Sequence, residues 1–352
     1  MKDNTSILQK FDAWFDDAGP AALVMREHLM PVEGHDGVLF PATFAASEDR
    51  TFRGGYNIDR FPDGTNVCLV DSVGSQANRI EPLFMKDDYR KLVPQVVVKA
   101  GKKNINLLEA GHRAGDAIIR CSALQKELHD AFIAALDGNA LPLAKIAPTS
   151  LVFGVWDSRD TQAKLPRLVD AKIRAFNVRE LTRSAQYIPA VEYVADGLLD
   201  EPTDKNSKDA YAVRGFIHVP ASGSHGGVIA TGGVRRDATL QLAALQLLAT
   251  AGDKQQNLPM LRYILGLSLT AITFRPLSYL RQGCNLVPDA EKSRELKLVY
   301  NDGRREDFAI KHEDALEYAS AAAEVFGVES DRTVDFDPAL AKKDVSDMKK
   351  KK

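Results

Sequence analysis

The chain lacks any run of about 18 consecutive apolar residues, so no segment reads as a membrane-spanning helix. Its opening residues, MKDNTSILQKFDAWFDD, hold no apolar core of the kind a secretion signal needs. Cysteine is scarce: Cys68, Cys121 and Cys284 are odd in number and far apart. That excludes a disulfide framework and a paired Cys-x-x-Cys zinc site, and it points to buried thiols in a reducing cytoplasm. The seven histidines are scattered and add no metal signal, so neither metal nor cofactor is expected. A basic excess is missing too. The net charge is −2, so any binding of nucleic acid must rest on local patches. What remains is ordinary globular material, 45% hydrophobic and 27% charged over 352 residues.

Against that background the stretch from Val67 to Phe84, VCLVDSVGSQANRIEPLF, is unusual. Val67–Val70 reads as a buried strand and Asp71 as a helix N-cap. Val73, Ala77, Ile80 and Phe84 then recur at helical spacing and form one apolar face. Ser72, Ser75, Gln76 and Arg79 form the stripe beside it, flanked by Asn78. An ordinary solvated stripe is rich in Lys and Glu, which favour the helix more than Ser and Asn do. Hydroxyls, amides and a guanidinium behind a helix N-terminus could hold a phosphate backbone. They could equally cap their own backbone and meet neighbouring loops.

Residues 1–30 read as one or two helices broken at Gly19-Pro20. Turn-rich sequence follows, ending in Arg53-Gly54-Gly55-Tyr56-Asn57, where glycines permit close approach and Tyr56 offers a stacking ring. Val93–Val98 reads as a short strand. Ile105 to about Asp137 reads as two helices or a kinked one. Its small residues are flanked by His112, Arg113, Asp116 and Arg120. Ser150–Trp156 reads as a strand, and the loop after it carries Arg159, Lys164 and Arg167. A second strand, Leu168–Val178, alternates apolar residues with Lys172, Arg174 and Phe176. A basic and aromatic strand face suits single-stranded RNA. Residues 149–188 hold seven Lys/Arg against four Asp/Glu.

Residues 196–210 read as a surface excursion. From Tyr211 to Arg236 no acid occurs, and a glycine-rich hairpin leads to Arg235-Arg236. These two arginines stand before Asp237, read as the N-cap of a helix, which marks a further anion site. A buried helix over Pro259–Phe274 follows. A hairpin around Asn301-Asp302-Gly303 comes next, then a last helix over Glu313–Phe326. The tail, 331–352, is basic and reads as disordered. No repeat and no linker interrupt residues 1–330, which read as one α+β domain.

RGGYN, SVGSQANR, GHRAGDAIIR, FGVWDSRDTQAKLPR and GGVRRDATL occur in this order. Together they resemble the backbone subunit of the type I-G (formerly I-U) CRISPR Cascade effector, of the RAMP superfamily. The resemblance covers roughly residues 50 to 330. It implies a modified RRM-like (ferredoxin-like) palm with a helical finger insertion and a thumb hairpin, the thumb falling at about 196–233. It also implies a non-catalytic protein that polymerises head to tail along a guide RNA, beside other Cascade subunits, and presents the guide to target DNA. Phosphate contacts then fall to Ser72, Ser75, Gln76 and Arg79. The RNA-binding set read from residues and resemblance together adds Arg53, Tyr56, Asn78, His112, Arg113, Arg159, Lys164, Arg167, Lys172, Arg174, Arg235 and Arg236.

Two alternatives compete. One is a RAMP endoribonuclease that cuts precursor CRISPR RNA, with His112, His218 or His225 as general acid–base. Target-RNA cleavage would instead need an acid such as Asp157 or Asp160. The other is a metabolic enzyme with a phosphate loop at 222–233. That stretch lacks both a following Gly-Lys-Ser/Thr and the G-x-G-x-x-G register.

Overall fold

The computed structural model describes residues 5–49 and 51–350. Its largest sheet is built on the strand Pro20–Pro31. Leu23, Met25, Glu27 and Leu29 point to the buried side of this strand, while Arg26 is exposed on the other. Helix was expected over residues 1–30; residues 1–4 lie outside the described residues, and among the described ones of that span only Thr5–Gln9 and the 3-10 turn Asp12–Phe15 are helical. The strand is paired along both edges. Val234–Gln241 lies on one side, and Glu295–Tyr300 and Cys284–Pro288 lie on the other. Two ladders and a buried apolar face outweigh the modest helix propensity of the segment.

The sheet is antiparallel throughout its main path and curls. Beyond Val234–Gln241 come Val169–Phe176, Asn66–Asp71 and Ile58–Arg60. One face is covered by two separate cores. Leu23, Met25, Ala171, Ala238 and Leu240 pack under the long helix Lys254–Thr273. Leu29, Ala175 and Val234 pack with Leu39, Tyr56, Leu280 and Leu286. A cross-strand row divides them, in which Glu27 pairs Arg236, Arg236 pairs Ile173, and Ile173 pairs Asp71. The two carboxylates in this row are 3% and 2% exposed, so each must gather its own cations to be tolerated inside. Glu27 accepts from Arg275 Nε at 3.0 Å and Arg236 Nη1 at 3.5 Å.

A long hairpin, Val178–Tyr187 with Val219–Ala230, continues outward from the strands Val169–Phe176 and Val234–Gln241. It begins well before the 196–233 region expected for a thumb. Its far end carries the helix Lys205–Arg214. The glycine-rich stretch is part of this hairpin and does not form a phosphate loop. A side chain at Gly227 (φ +96°) would meet Val38 Cγ1 at 2.5 Å, and one at Gly226 would meet the backbone of Leu181 and Thr182.

Three further expectations are corrected. The region read as helix from Ile105 to Asp137 contains 3-10 turns, the short helix Ala117–Arg120 and one true helix, Gln125–Leu136. Ser150–Trp156, read as a strand, is the helix Thr149–Phe153 stopped at Gly154 (φ +77°), then the two-residue strand Val155–Trp156. The tail after Ser330 is ordered over Arg332–Asp335, a strand parallel to Val96–Ala100, and over the helix Pro338–Lys350. Val334 and Phe336 pack against the core, which anchors a segment whose charge pattern alone reads as solvated. Lys351 and Lys352 lie outside the described residues.

Candidate nucleic-acid interface

The polar stripe of the opening helix turns inward. The helix runs Val73–Ile80, and its N-cap is Ser72, whose hydroxyl accepts from the Ser75 amide. Asp71, expected as the cap, is still in the strand and buried. Its carboxylate accepts from Ser75 Oγ at 2.9 Å, Gln76 Nε2 at 2.7 Å, Arg79 Nε at 3.1 Å and Arg281 Nη2 at 2.8 Å. Arg79 also donates to the Leu280 carbonyl at 2.9 Å. Gln76 is fully buried. The hydroxyls and amide that looked surplus on a solvated face thus satisfy a carboxylate that burial would otherwise penalise.

On its other side the same helix borders an open groove of about 680 Å³. Gly74, Gly111 and Gly154 leave its floor bare, and Asn78, His112, Arg113, Lys164 and Arg167 line it. Residues up to 93 positions apart in sequence, from Gly74 to Arg167, converge here. Arg113 is 3% exposed and adopts φ +53°. Its Nε lies 2.7 Å from Glu81 Oε2, and its other nitrogens donate to the Gly154 carbonyl at 3.2 Å and Asn78 Oδ1 at 3.3 Å. Burial pushes the Glu81 carboxyl up to about 7 and lowers the Arg113 guanidinium. Arg113 is therefore a fixed floor charge that orients Asn78. His112, Lys164 and Arg167 are exposed at the rim.

One wall of the groove is Trp156, whose side chain is 56% exposed. Lys164 Nζ lies 5.9 Å from the Trp156 ring centroid on the paired strand Lys164–Leu165. The loop joining these strands is clamped by Arg120. This guanidinium donates to Asp157 at 3.2 and 3.1 Å, to Asp160 at 2.5 Å and to the Gln125 carbonyl at 3.0 Å. Asp157 is fully buried, and Asp160 also contacts His129 Nδ1 at 2.6 Å, so both loop acids are already engaged. Arg159 is exposed on this loop.

The uncovered face of the sheet carries a second basic surface. Lys172, Arg174 and Phe176 alternate outward on one strand, with Arg235 and Asp237 on the next. Register places Arg174 opposite Arg235 and Arg235 opposite His28, so the row crosses three strands. Lys172 pairs Asp170 at 2.9 Å, and Arg235 pairs Asp237 at 2.7 Å while its guanidinium lies 4.7 Å from the Phe176 ring centre. Arg174 and Arg26 have no carboxylate partner among the described residues.

Arg235 and Arg236 do not act together. Residues 234–241 are strand, with helix only over Leu242–Gln246, so consecutive side chains take opposite faces. Arg236 is buried beside Glu27. Arg53 is exposed, away from the groove lining, and Tyr56 is buried with its hydroxyl accepting from the Gly227 amide at 3.0 Å. His225 packs on the Tyr56 ring, and neither it nor His218 lines the groove. Sequence reasoning missed Trp156, Gly74, Gly154, Arg26 and His28. An exposed tryptophan next to a glycine and a charged loop was the available signal for the first.

Among the described residues no helix is long and apolar enough to cross a membrane. No curated protein matches the chain. Residues 23–180, which carry every residue lining the groove, match the family model for CRISPR-associated protein GSU0053.

Proposed function

We propose that the chain is a non-catalytic, guide-RNA-binding backbone subunit of a type I-G CRISPR Cascade effector. The observation that carries this reading is the groove lined together by a half-exposed Trp156, by Lys164, Arg167, His112 and Asn78, and by three glycines. A π-face for a base, flexible cations for phosphates and a bare floor suit single-stranded RNA of any sequence. The groove has no set of convergent donors and acceptors that would read one base, as a subunit gripping an arbitrary guide requires.

Sheet topology supports the RAMP assignment. Taking Pro20–Pro31, Val169–Phe176, Val234–Gln241 and Glu295–Tyr300 as first to fourth, their spatial order is fourth, first, third, second. That is the order of a ferredoxin-like, RRM-like palm. The short helices between Ala117 and Phe153 then serve as the finger, and the hairpin from Val178 to Ala230 serves as the thumb. Copies would join head to tail, a contact that leaves an open filament whose length the guide sets. Other Cascade subunits and, through the guide, target DNA complete the set of partners.

The test is light scattering on the purified chain with the nucleic acid extracted and measured, followed by titration with unstructured RNAs of unrelated sequence. Assemblies of several copies on RNA, with similar affinity for each sequence and no RNA cleavage, are the expected result. A single copy that carries no RNA and gains none would overturn the reading. Cleavage of labelled RNA that is lost in His112→Ala would favour the endoribonuclease instead.

A further inference from the structure

We infer that Arg120 is a positioning residue of the groove: too deeply buried to touch a bound strand, it holds the Trp156 ring where a base stacks. Its role in binding rests on the reading above, in which RNA lies in the groove.

The ring has little local support. Trp156 is 56% exposed, and its strand, Val155–Trp156, is two residues long and pairs with Lys164–Leu165. Even a full two-stranded hairpin is marginal alone in water, so a ladder this short does not fix a wall. The order comes from the loop 157–163 that joins the two strands. Its fixed point is Asp157, which is fully buried. The Asp157 carboxylate accepts from the Thr161 amide at 3.1 Å and the Thr161 hydroxyl at 2.8 Å. The Asp157 amide donates to the Ala163 carbonyl at 2.8 Å, and the Asp157 carbonyl accepts from the Gln162 amide at 2.9 Å. A buried carboxylate needs a cation. Arg120 supplies it through two nitrogens, and the same guanidinium reaches Asp160 and the Gln125 carbonyl. It also lies 5.5 Å from the centre of the buried Phe132 ring. One planar fork thus ties the loop to the helices Ala117–Arg120 and Gln125–Leu136.

On its other side the Trp156 backbone abuts Gly115. A side chain there would lie 2.8 Å from the Trp156 carbonyl oxygen and 3.1 Å from Val155 Cγ2, so glycine is what admits the strand this closely. Asp116 caps the helix that carries Arg120, and its carboxylate also accepts from the amide of His112 at the groove rim at 3.2 Å. The short segment 112–120 therefore sets the rim and holds the wall. Arg120 is 3% exposed, so replacing it removes no phosphate contact, and its effect on binding passes through the wall it holds. Lysine in its place keeps the charge and loses the fork.

The test is Arg120→Lys in protein labelled with fluorotryptophan. The chain has two tryptophans. Trp14 is buried against Phe11 and Phe308, so the fluorine resonance missing from Trp156→Ala belongs to Trp156. Arg120→Lys is expected to shift or broaden the Trp156 resonance and leave that of Trp14 in place, whereas a general loss of stability would move both. RNA affinity is expected to fall about two- to tenfold, the cost of ordering one freed side chain on binding, with the salt slope of the parent. In the Trp156→Ala background most of that cost should disappear, because the two changes act through one group. Asp160→Ala removes a partly exposed partner of Arg120 and leaves Asp157 paired. It should give a smaller change of the same kind, and it serves as the test if Arg120→Lys does not fold. A Trp156 resonance that stays put, or a cost that persists in full without Trp156, would overturn the role of Arg120. If Trp156→Ala binds RNA as the parent does, the groove reading fails, and the fluorine spectra alone decide whether Arg120 holds the ring.

Discussion

Trp156→Ala separates stacking from charge in the groove. The side chain is 56% exposed, so its loss should cost the fold no more than about 0.5 kcal/mol. Its cost to RNA binding should be larger. Base–aromatic stacking contributes about 1–3 kcal/mol per base, which is roughly 5- to 150-fold in Kd. Stacking releases no counterions, so the loss should be the same at every salt concentration. Arg167→Ala, at the rim of the same groove, should behave differently. It should flatten the slope of log affinity against log salt by about 0.7 for the phosphate contact removed. Fluorescence anisotropy with a labelled unstructured RNA over a salt series reads both quantities, and a urea titration checks that both variants fold as the parent does. If Trp156→Ala leaves affinity unchanged, or if Arg167→Ala shifts affinity without altering the slope, the groove is not where RNA lies.

Three other outcomes follow from the same geometry. Asp71→Ala strands Arg79, Arg281 and Gln76 without their shared acceptor and should cost about 3–5 kcal/mol in urea unfolding, whereas an effect confined to RNA affinity would contradict the inward network. Burial lifts Glu81 from its ordinary 4.5 to about 7, so within that window the folded chain holds a proton the unfolded chain has released. The unfolded state binds fewer protons, so stability should fall as pH rises from 4.5 to 7 and then level off. The wild-type curve minus that of Glu81→Gln isolates this term, and a flat difference would refute it. Gly154→Ala should lose about 1–3 kcal/mol, because φ is +77° and the new Cβ would lie 2.6 Å from Arg167 Cγ. Thermal melting alongside RNA binding should show both falling, and a variant as stable as the parent would argue against that packing.

The long apolar or alternating segments were legible in sequence. The strand around Lys172 and Arg174, the buried helix ending near Thr273, the hairpin at Asn301-Asp302-Gly303 and the last helix with its Gly327 stop all form where periodicity and turn chemistry put them. Local pattern sufficed there because each element buries one face and carries its own terminators. It failed for Pro20–Pro31, whose pattern suits a helix but whose neighbours on both edges supply ladders, and for 149–156, where one glycine splits a helix from a strand.

The candidate site divides the same way. Residue types and the family resemblance together put Asn78, His112, Lys164 and Arg167 among the candidate RNA contacts, without setting them apart from the rest, and composition alone excluded a globally basic binder. Only the tertiary structure decided which polar groups face solvent. Asp71 lies in sequence beside the stripe it absorbs, but nothing local says that its carboxylate is buried and must be matched by Ser75, Gln76, Arg79 and Arg281. Likewise Arg235 and Arg236 are equivalent in sequence, and the period of a strand sends one to the open face and the other to Glu27. Charge is a property of the residue. Whether that charge is available to a ligand depends on which partners the fold brings within hydrogen-bonding distance.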